Sequence, residues 1–404
     1  MGVALKLNMP AATPKTMFRF LVLVFWTQYT VLSFVEEVIE RLPFVSRFAP
    51  FFIPVLFMSL FALSLPYIVR QLRKADVLFV LSVVLVVVMT LLIYPDSKEY
   101  ISPQLWRIFG MAVPLYFVGV IYDNEEIKKD LFWCSLVGVI VALLYQLYSL
   151  ASGRVLESDN MNTSYNVLPS VMYLIYWAII NNGVKNWLMA FAASALPFIF
   201  GTRGPIIAIA VFCAIGLIYR FSKIKNIAVK MVLILIVGIA AVYVSTGNRI
   251  LEWAEILSKR FGEIGFSTRI FEFFIEEDLA YLSGREDLSE AVWKAIKQNA
   301  IFGYGFMGDR AVVGKYAHNI VLEYWCSYGV FVGSAAVVLT AVIPLKAMLR
   351  SKGKDVFWLI MMLACMAFVK LMVSSSYVFE PYFYLLLGLS VGAMRQISVI
   401  RINE

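Results

Sequence analysis

The sequence predicts an all-α polytopic membrane protein, and three observations carry that reading. The chain is 61% hydrophobic and only 15% charged, where a soluble domain is about 25% charged. Its charges cluster, leaving apolar runs of roughly 15 to 25 residues, the length a helix needs to cross a bilayer. Those runs lack β-barrel alternation, so the spans must be helices that satisfy their own backbone groups.

About twelve spans follow, centred near residues 26, 60, 85, 114, 140, 174, 194, 212, 236, 332, 366 and 387. The first is preceded by Lys6 and Lys15 and has no small-residue cleavage site, which reads as a retained signal anchor. Lysine and arginine set the orientation. Alternate short loops carry Arg70, Arg73 and Lys74; Lys128 and Lys129; Lys185; Arg220, Lys223, Lys225 and Lys230; and Lys346, Arg350, Lys352 and Lys354. The opposite loops hold chiefly Arg41, Arg47, Lys98, Arg154 and Arg203. Both termini therefore fall on the basic, cytoplasmic side. The net charge of +8 reflects this topology and does not call for nucleic acid. Cys134, Cys213, Cys326 and Cys365 lie within spans, without metal-ligand spacing, and read as core residues.

Residues 1–245 thus hold nine spans and residues 319–404 three more, with one long extracytoplasmic segment, 246–318, between them. Long loops without a role are uncommon, and this one has helical patterning. "RILEWAEILSKRF" sets Ile250, Trp253, Ala254, Leu257 and Phe261 on one face. "REDLSEAVWKAIKQ" does the same for Leu288, Ala291, Val292, Ala295 and Ile296. A folded helical cap is expected. With nine basic and eleven acidic residues it is not a polybasic surface. The single large loop after the ninth span breaks the symmetry of a two-repeat transporter.

Three residues can do chemistry. Arg203, in "FIFGTRGPIIAIAV", stands between Gly201 and Gly204, and Pro205 is expected at the first position of the next helix. Backbone N–H groups at a helix start, with a guanidinium beside them, suit a phosphate; the alternative is an arginine that snorkels to headgroups. Arg285, in "YLSGREDLSEAVW", shares the face of Leu288 and Val292 and so faces the bundle, or else pairs with Glu286, Asp287 or Glu290. His318 is the only histidine and lies where the long segment re-enters the membrane. It can exchange a proton near neutral pH, or simply bond a backbone carbonyl. No metal is expected, because only Glu276, Glu277 and Asp278 offer a cluster, and that run reads as a solvated face. Two arginines and a histidine on one face suit the departure of a pyrophosphate.

Over residues 187–335 these motifs resemble the bacterial O-antigen polymerase and O-antigen ligase superfamily. They are the "TRG" turn, the loop "SGREDLSEAVWKAIKQNAIFGYGF", and "HNIVLEYWCSYGVFVG" with His318, Asn319, Glu323, Gly329 and Gly333. Thr202 stands where many relatives have serine. The resemblance implies a fold like the C-type membrane glycosyltransferases and glycan substrates linked to undecaprenyl pyrophosphate. It also implies no metal or other cofactor, and an active site on the outer face of the bacterial inner membrane. Arg203 and Arg285 then hold the pyrophosphate and His318 assists the acceptor hydroxyl. Tyr316 and Asn319 shape the acceptor side, Gly303 and Gly305 permit a tight turn, and Arg107 is a further phosphate contact. An acceptor glycan, the bilayer and a chain-length regulator protein are the expected partners. Lys370 is a charge within a span, there for function or to pair with Glu380. Polymerase is favoured over ligase because the chain is idiosyncratic outside the shared motifs. A flippase or transporter would need polar residues near the midplane, which the spans largely lack; a cell-wall polymerase of another family would rely on an outward acid.

Overall fold

The computed structural model describes residues 13–40, 46–122, 124–151, 157–228, 249–264 and 285–403, with isolated positions at 42 and between 230 and 275. Among the described residues there are helices and no strand. α1 (Pro14–Glu40) leads into α2 (Ser46–Gln71), α3 (Lys74–Ile93), α4 (Pro95–Ile121) and α5 (Asn124–Ala151). Next come α6 (Glu157–Asn181), α7 (Val184–Ile199), α8 (Arg203–Lys223), α9 (Arg249–Ile264), α10 (Arg285–Gln298) and the short α11 (Gly308–Val313). α12 (Ile320–Arg350), α13 (Asp355–Val373) and α14 (Pro381–Asn403) follow.

Eight of these are long and apolar enough to cross a membrane: α1 to α5, α8, α12 and α13. The protein is therefore an all-α polytopic membrane protein, and of the roughly twelve spans expected, eight meet those criteria among the described residues. The span expected near 236 lies outside the described residues. α7 has only 16 residues. α6 falls short in apolarity for a physical reason, being an interior helix, and the side chains at the end of α14 lie outside those described. Val167 to Tyr176 of α6 are buried without a break, and so are Pro381 to Ser390 of α14. A helix surrounded by protein can carry polar residues that lipid would not accept, such as the buried Ser164 and Ser170 of α6.

Small residues let the inner helices approach closely. A Cβ on Gly388 would strike the carbonyl of Tyr116, and one on Gly119 would stand 2.5 Å from the carbonyl oxygen of Leu385, so α14 and α4 touch backbone to backbone. One buried ion pair locks this contact to α3. Asp76 accepts from Arg395 Nη1 and Nη2 at 2.7 and 2.6 Å, from Tyr116 Oη at 2.9 Å and from the Arg73 N–H at 2.8 Å. Breaking such a pair from one side leaves a buried cation uncompensated, at a cost of about 3 kcal/mol. Asp76→Ala is therefore expected to lower the thermal unfolding midpoint of the detergent-solubilised protein by several degrees; an unchanged midpoint would show the pair to be dispensable.

The segment expected to form a cap contains α9, α10 and α11. α9 buries Ala254 against Phe271, with Phe261 and Ile206 of α8 alongside. Trp253 and Leu257, expected on the same buried face, are instead exposed. α10 buries Val292, Ala295 and Ile296, but Ala291 lies on its exposed side. The four cysteines are free thiols within α5, α8, α12 and α13.

α12 is broken at Gly329, where φ is 74° and ψ is 169°. The chain from Asn299 to Gly308 lies along this break. Tyr304 and Gly305 donate to the carbonyls of Cys326 and Ser327, each at 2.9 Å, and Val330 donates to Ala300 at 2.7 Å. Only glycine fits at 329, because a side chain would meet the Ile301 carbonyl in a backbone region that disfavours one. Gly303 and Gly305 have φ of 68° and 81° and form the tight turn expected of them. The tip of α3 anchors that turn: Tyr94 Oη donates to the Gly303 carbonyl at 3.1 Å, and Phe306 N–H donates to Thr90 Oγ1 at 2.9 Å.

Candidate functional site

The "TRG" turn joins α7 to α8. Gly201 has φ of 66°, and Thr202 is the extended N-cap. α8 begins at Arg203, two residues earlier than expected, so Pro205 is the third helical residue and not the first. It is still in the first turn, where a missing N–H breaks no intrahelical bond. The Arg203 side chain is exposed, whereas Gly204 is buried. A Cβ on Gly204 would collide with the Tyr165 hydroxyl of α6, so the absence of a side chain there admits that tyrosine to the turn.

The other wall is the approach to α12. Asp309 is fully buried and accepts from the Ala317 N–H at 2.8 Å, the Arg310 N–H at 3.0 Å and Arg310 Nη1 at 2.8 Å. Burial pushes the Asp309 carboxyl above its ordinary range, and Arg310 and these N–H donors pull it back. The bond to Ala317 fixes the strand-like stretch that carries Tyr316 and His318. His318 itself has φ of 54°. A left-handed non-glycine residue is uncommon and costs of order 1–2 kcal/mol. Such strain is found where a surrounding structure dictates a side chain's aim. Asn319 then caps α12, its Oδ1 accepting from the N–H groups of Val321 and Leu322 at 2.9 and 3.3 Å.

A short series of contacts joins the two walls. The Tyr165 hydroxyl, against Gly204, accepts from Ser374 Oγ at 2.6 Å. The Ser374 carbonyl accepts from the Tyr316 hydroxyl at 3.2 Å. The Tyr316 ring lies 4.1 Å from the His318 ring, centroid to centroid. Thus the "TRG" turn and His318, more than a hundred residues apart in sequence, border one region through three intervening residues.

Cations surround it. Arg310 lies 5.3 Å from the Tyr316 ring and 5.8 Å from the Phe379 ring, while Arg107 lies 5.4 Å from Phe379. Arg310 is 7% exposed, and its Nη2 has no hydrogen-bond partner among the described residues. Lys370 sits 5.3 Å from the Tyr165 ring and pairs with Glu380 at 3.0 Å, the partner its sequence position suggested. Glu323, buried under the site, accepts from Ser376 Oγ at 2.9 Å and the Tyr377 N–H at 3.3 Å, holding the 374–380 loop against α12.

Arg203, Gly201, Gly204, Tyr316, His318 and Arg107 are thus gathered around α6, α12 and the 374–380 loop. Asn319 is beside them with its side-chain oxygen engaged in capping. Arg285 is the first residue of α10, whose Trp293 stacks on Trp325 at 5.5 Å and whose end meets Val330 through Ala300. α10 and the start of α12 therefore run in the same direction, which carries Arg285 towards the Asn319 end of α12. The acidic run 276–278 lies outside the described residues, among which no group of three or more metal-ligating side chains occurs. Arg310, Asp309 and Tyr165 were not foreseen. "GDR" gives no sequence sign of a buried pair, and Tyr165 is one of 21 tyrosines.

Residues 188–337 match the model of the family described as O-Antigen ligase. Neither the curated proteins nor the solved structures contain a match to the chain.

Proposed function

Since residues 188–337 match the family model described as O-Antigen ligase, we propose that the chain polymerises lipid-linked oligosaccharide repeats at the outer face of the bacterial inner membrane. The donor is an oligosaccharide on undecaprenyl pyrophosphate, and the acceptor is the sugar of a second lipid-linked repeat. Residues 246–318 then form the extracytoplasmic part of the enzyme, between spans at 1–245 and 319–404. The observation that carries this reading is the gathering of a phosphate-suited turn, three further cations and the only histidine around one region.

In the reaction, an acceptor hydroxyl attacks the anomeric carbon of the donor. A new carbon–oxygen bond forms as the bond to the pyrophosphate oxygen breaks, and its electron pair leaves with undecaprenyl pyrophosphate. Arg203, Arg285 and the first N–H groups of α8 hold the pyrophosphate, with Arg107 as a further contact. A guanidinium presents a planar fork that matches two phosphate oxygens, and it stabilises the charge that grows as the bond breaks. His318 takes the proton of the attacking hydroxyl or orients it, and Tyr316, packed against its ring at a tilt of 45°, holds the imidazole in place. No step calls on a metal.

The family's description as a ligase favours one second reading, in which the same chemistry delivers the glycan to a lipid A core. Reconstituted protein supplied with one cognate lipid-linked repeat, with and without core, separates the two. A ladder of longer lipid-linked glycans formed without core is the expected result. Product on the core alone would make the chain a ligase, and neither product would remove the transferase reading.

A further inference from the structure

We propose that Lys370 binds a phosphate of the lipid-linked donor, an inference that rests on the transferase reading above and brings α13 into the pyrophosphate site. A charge within a span is costly and is kept where it pairs or serves a polar region. Lys370 is paired, its ammonium meeting Glu380 at 3.0 Å. The two partners differ in access, because the Lys370 side chain is 25% exposed and that of Glu380 only 1%. The lysine thus reaches an accessible surface from which its carboxylate is shut off.

Helix packing carries this ammonium to the "TRG" turn. Tyr219, near the end of α8, packs edge-on against Trp358, near the start of α13, at 5.0 Å. At the other end the Tyr165 hydroxyl lies against Gly204, in the first turn of α8, and accepts from Ser374, just beyond α13. α8 and α13 are therefore antiparallel, and the end of α13 is level with the start of α8. The Ser374 N–H donates to the Lys370 carbonyl at 2.8 Å, so Lys370 stands one helical turn before that level. Its ammonium lies 5.3 Å from the Tyr165 ring. One tyrosine separates it from the first N–H groups of α8.

The donors gathered there narrow the ligand. An ammonium has three N–H donors, and among the described residues its contacts are Glu380 and the Tyr165 ring. Glu380 is itself shared, its Oε2 also accepting from Ser375 Oγ at 2.7 Å. An oxyanion beside Tyr165 would meet the ammonium, the exposed Arg203 and the start of α8 together. An acyl chain would strip the ammonium of polar company, and a neutral sugar calls for no charge. Phosphate is the group these donors suit, whether in the lipid pyrophosphate or in a bilayer headgroup; the turn beside it favours the pyrophosphate.

Glu380 separates this role from a purely structural one. A pair that only fastens the 374–380 loop to α13 needs both partners equally, so losing either has the same effect. A carboxylate that holds the ammonium ready, and competes with the arriving phosphate for it, gives opposite effects. Removing the carboxylate frees the cation, whereas removing the cation removes the ligand contact. On transfer no bond is made to the lysine. The electron pair of the breaking carbon–oxygen bond goes to the pyrophosphate, and the ammonium stabilises the charge there.

The test uses the full chain in phosphatidylcholine nanodiscs and two probes, undecaprenyl pyrophosphate and undecaprenol. Lys370→Gln is expected to weaken binding of the pyrophosphate lipid about tenfold and leave undecaprenol unaffected, while Lys370→Arg keeps most of the affinity. Glu380→Gln is expected to bind the pyrophosphate lipid at least as well as the wild type. Should Lys370→Gln not fold, because it leaves Glu380 uncompensated, the double variant Lys370→Gln/Glu380→Gln carries no buried charge and is expected to show the same tenfold loss. Unchanged affinity without the lysine, or equal losses from Lys370→Gln and Glu380→Gln, would overturn the phosphate role, while wild-type transfer leaves the transferase reading intact. Phosphatidylglycerol retained by the purified wild type and lost from Lys370→Gln, with pyrophosphate affinity unchanged, would assign the lysine to a bilayer headgroup and also overturn it. Failure of the wild type to bind undecaprenyl pyrophosphate or to transfer would overturn both.

Discussion

His318→Asn is expected to leave the protein folded and still able to bind donor, with transfer slowed at least about a hundredfold, the usual worth of a positioned proton acceptor. Asparagine is the informative substitution because of the backbone. At φ of 54° any Cβ is strained, and asparagine offsets that strain by bonding its short polar side chain locally, which the alanine methyl cannot do. A slow alanine variant could therefore reflect a displaced stretch before α12. A slow asparagine variant with an unchanged unfolding midpoint isolates the imidazole. The measurement is turnover at saturating donor and acceptor, alongside donor affinity. Full turnover in His318→Asn would reduce the histidine to a ring packed on Tyr316.

Arg203→Lys is expected to lower turnover by about two to three orders of magnitude, as losing an oriented charge at a developing anion does elsewhere. Charge is kept in this variant, so the loss reports geometry: an ammonium cannot present two parallel N–H groups to a phosphate. The side chain is exposed at the start of α8, so folding should be untouched. A raised KM for the lipid-linked donor together with a lowered kcat would mark an interaction that begins in the bound state and strengthens as the pyrophosphate departs. An arginine that only anchors to headgroups would show neither change.

These residues were legible to different degrees. Arg203 could be found because glycines flank it and an apolar run follows, a local pattern with a local meaning. His318 stood out because it is the only histidine. Arg285 was legible as the first residue of an amphipathic helix, and its periodicity matches the burial of Val292 and Ile296. Arg310 left no trace. Its burial depends on Asp309, Tyr316 and Phe379, and the last of these comes from a loop about seventy residues further along. Lys370 was readable as a costly charge within a span, and its pairing with Glu380 follows from how little else is available there.

The span count shows the same division. Apolarity measures exposure to lipid, so α2 and α3, with largely exposed apolar faces, read clearly as spans. α6 reads less clearly because protein surrounds it, and only its neighbours make that known. α9 is the converse: its periodic face predicts burial of Trp253, which the structure leaves exposed because α8 and Phe271 cover only the Ala254 and Phe261 portion.

The sequence by itself determined that this chain is a helical membrane protein, where the "TRG" turn and the histidine stretch lie, and which superfamily they resemble. Those properties depend on composition and on neighbours within a few residues, where hydrophobic period, glycine and charge act directly. The tertiary structure alone decided that Tyr165, Ser374 and Tyr316 join the turn to His318, and that Arg310 is buried beside it. Each of these results from packing between helices distant in sequence, and packing depends on the shapes of all the partners at once.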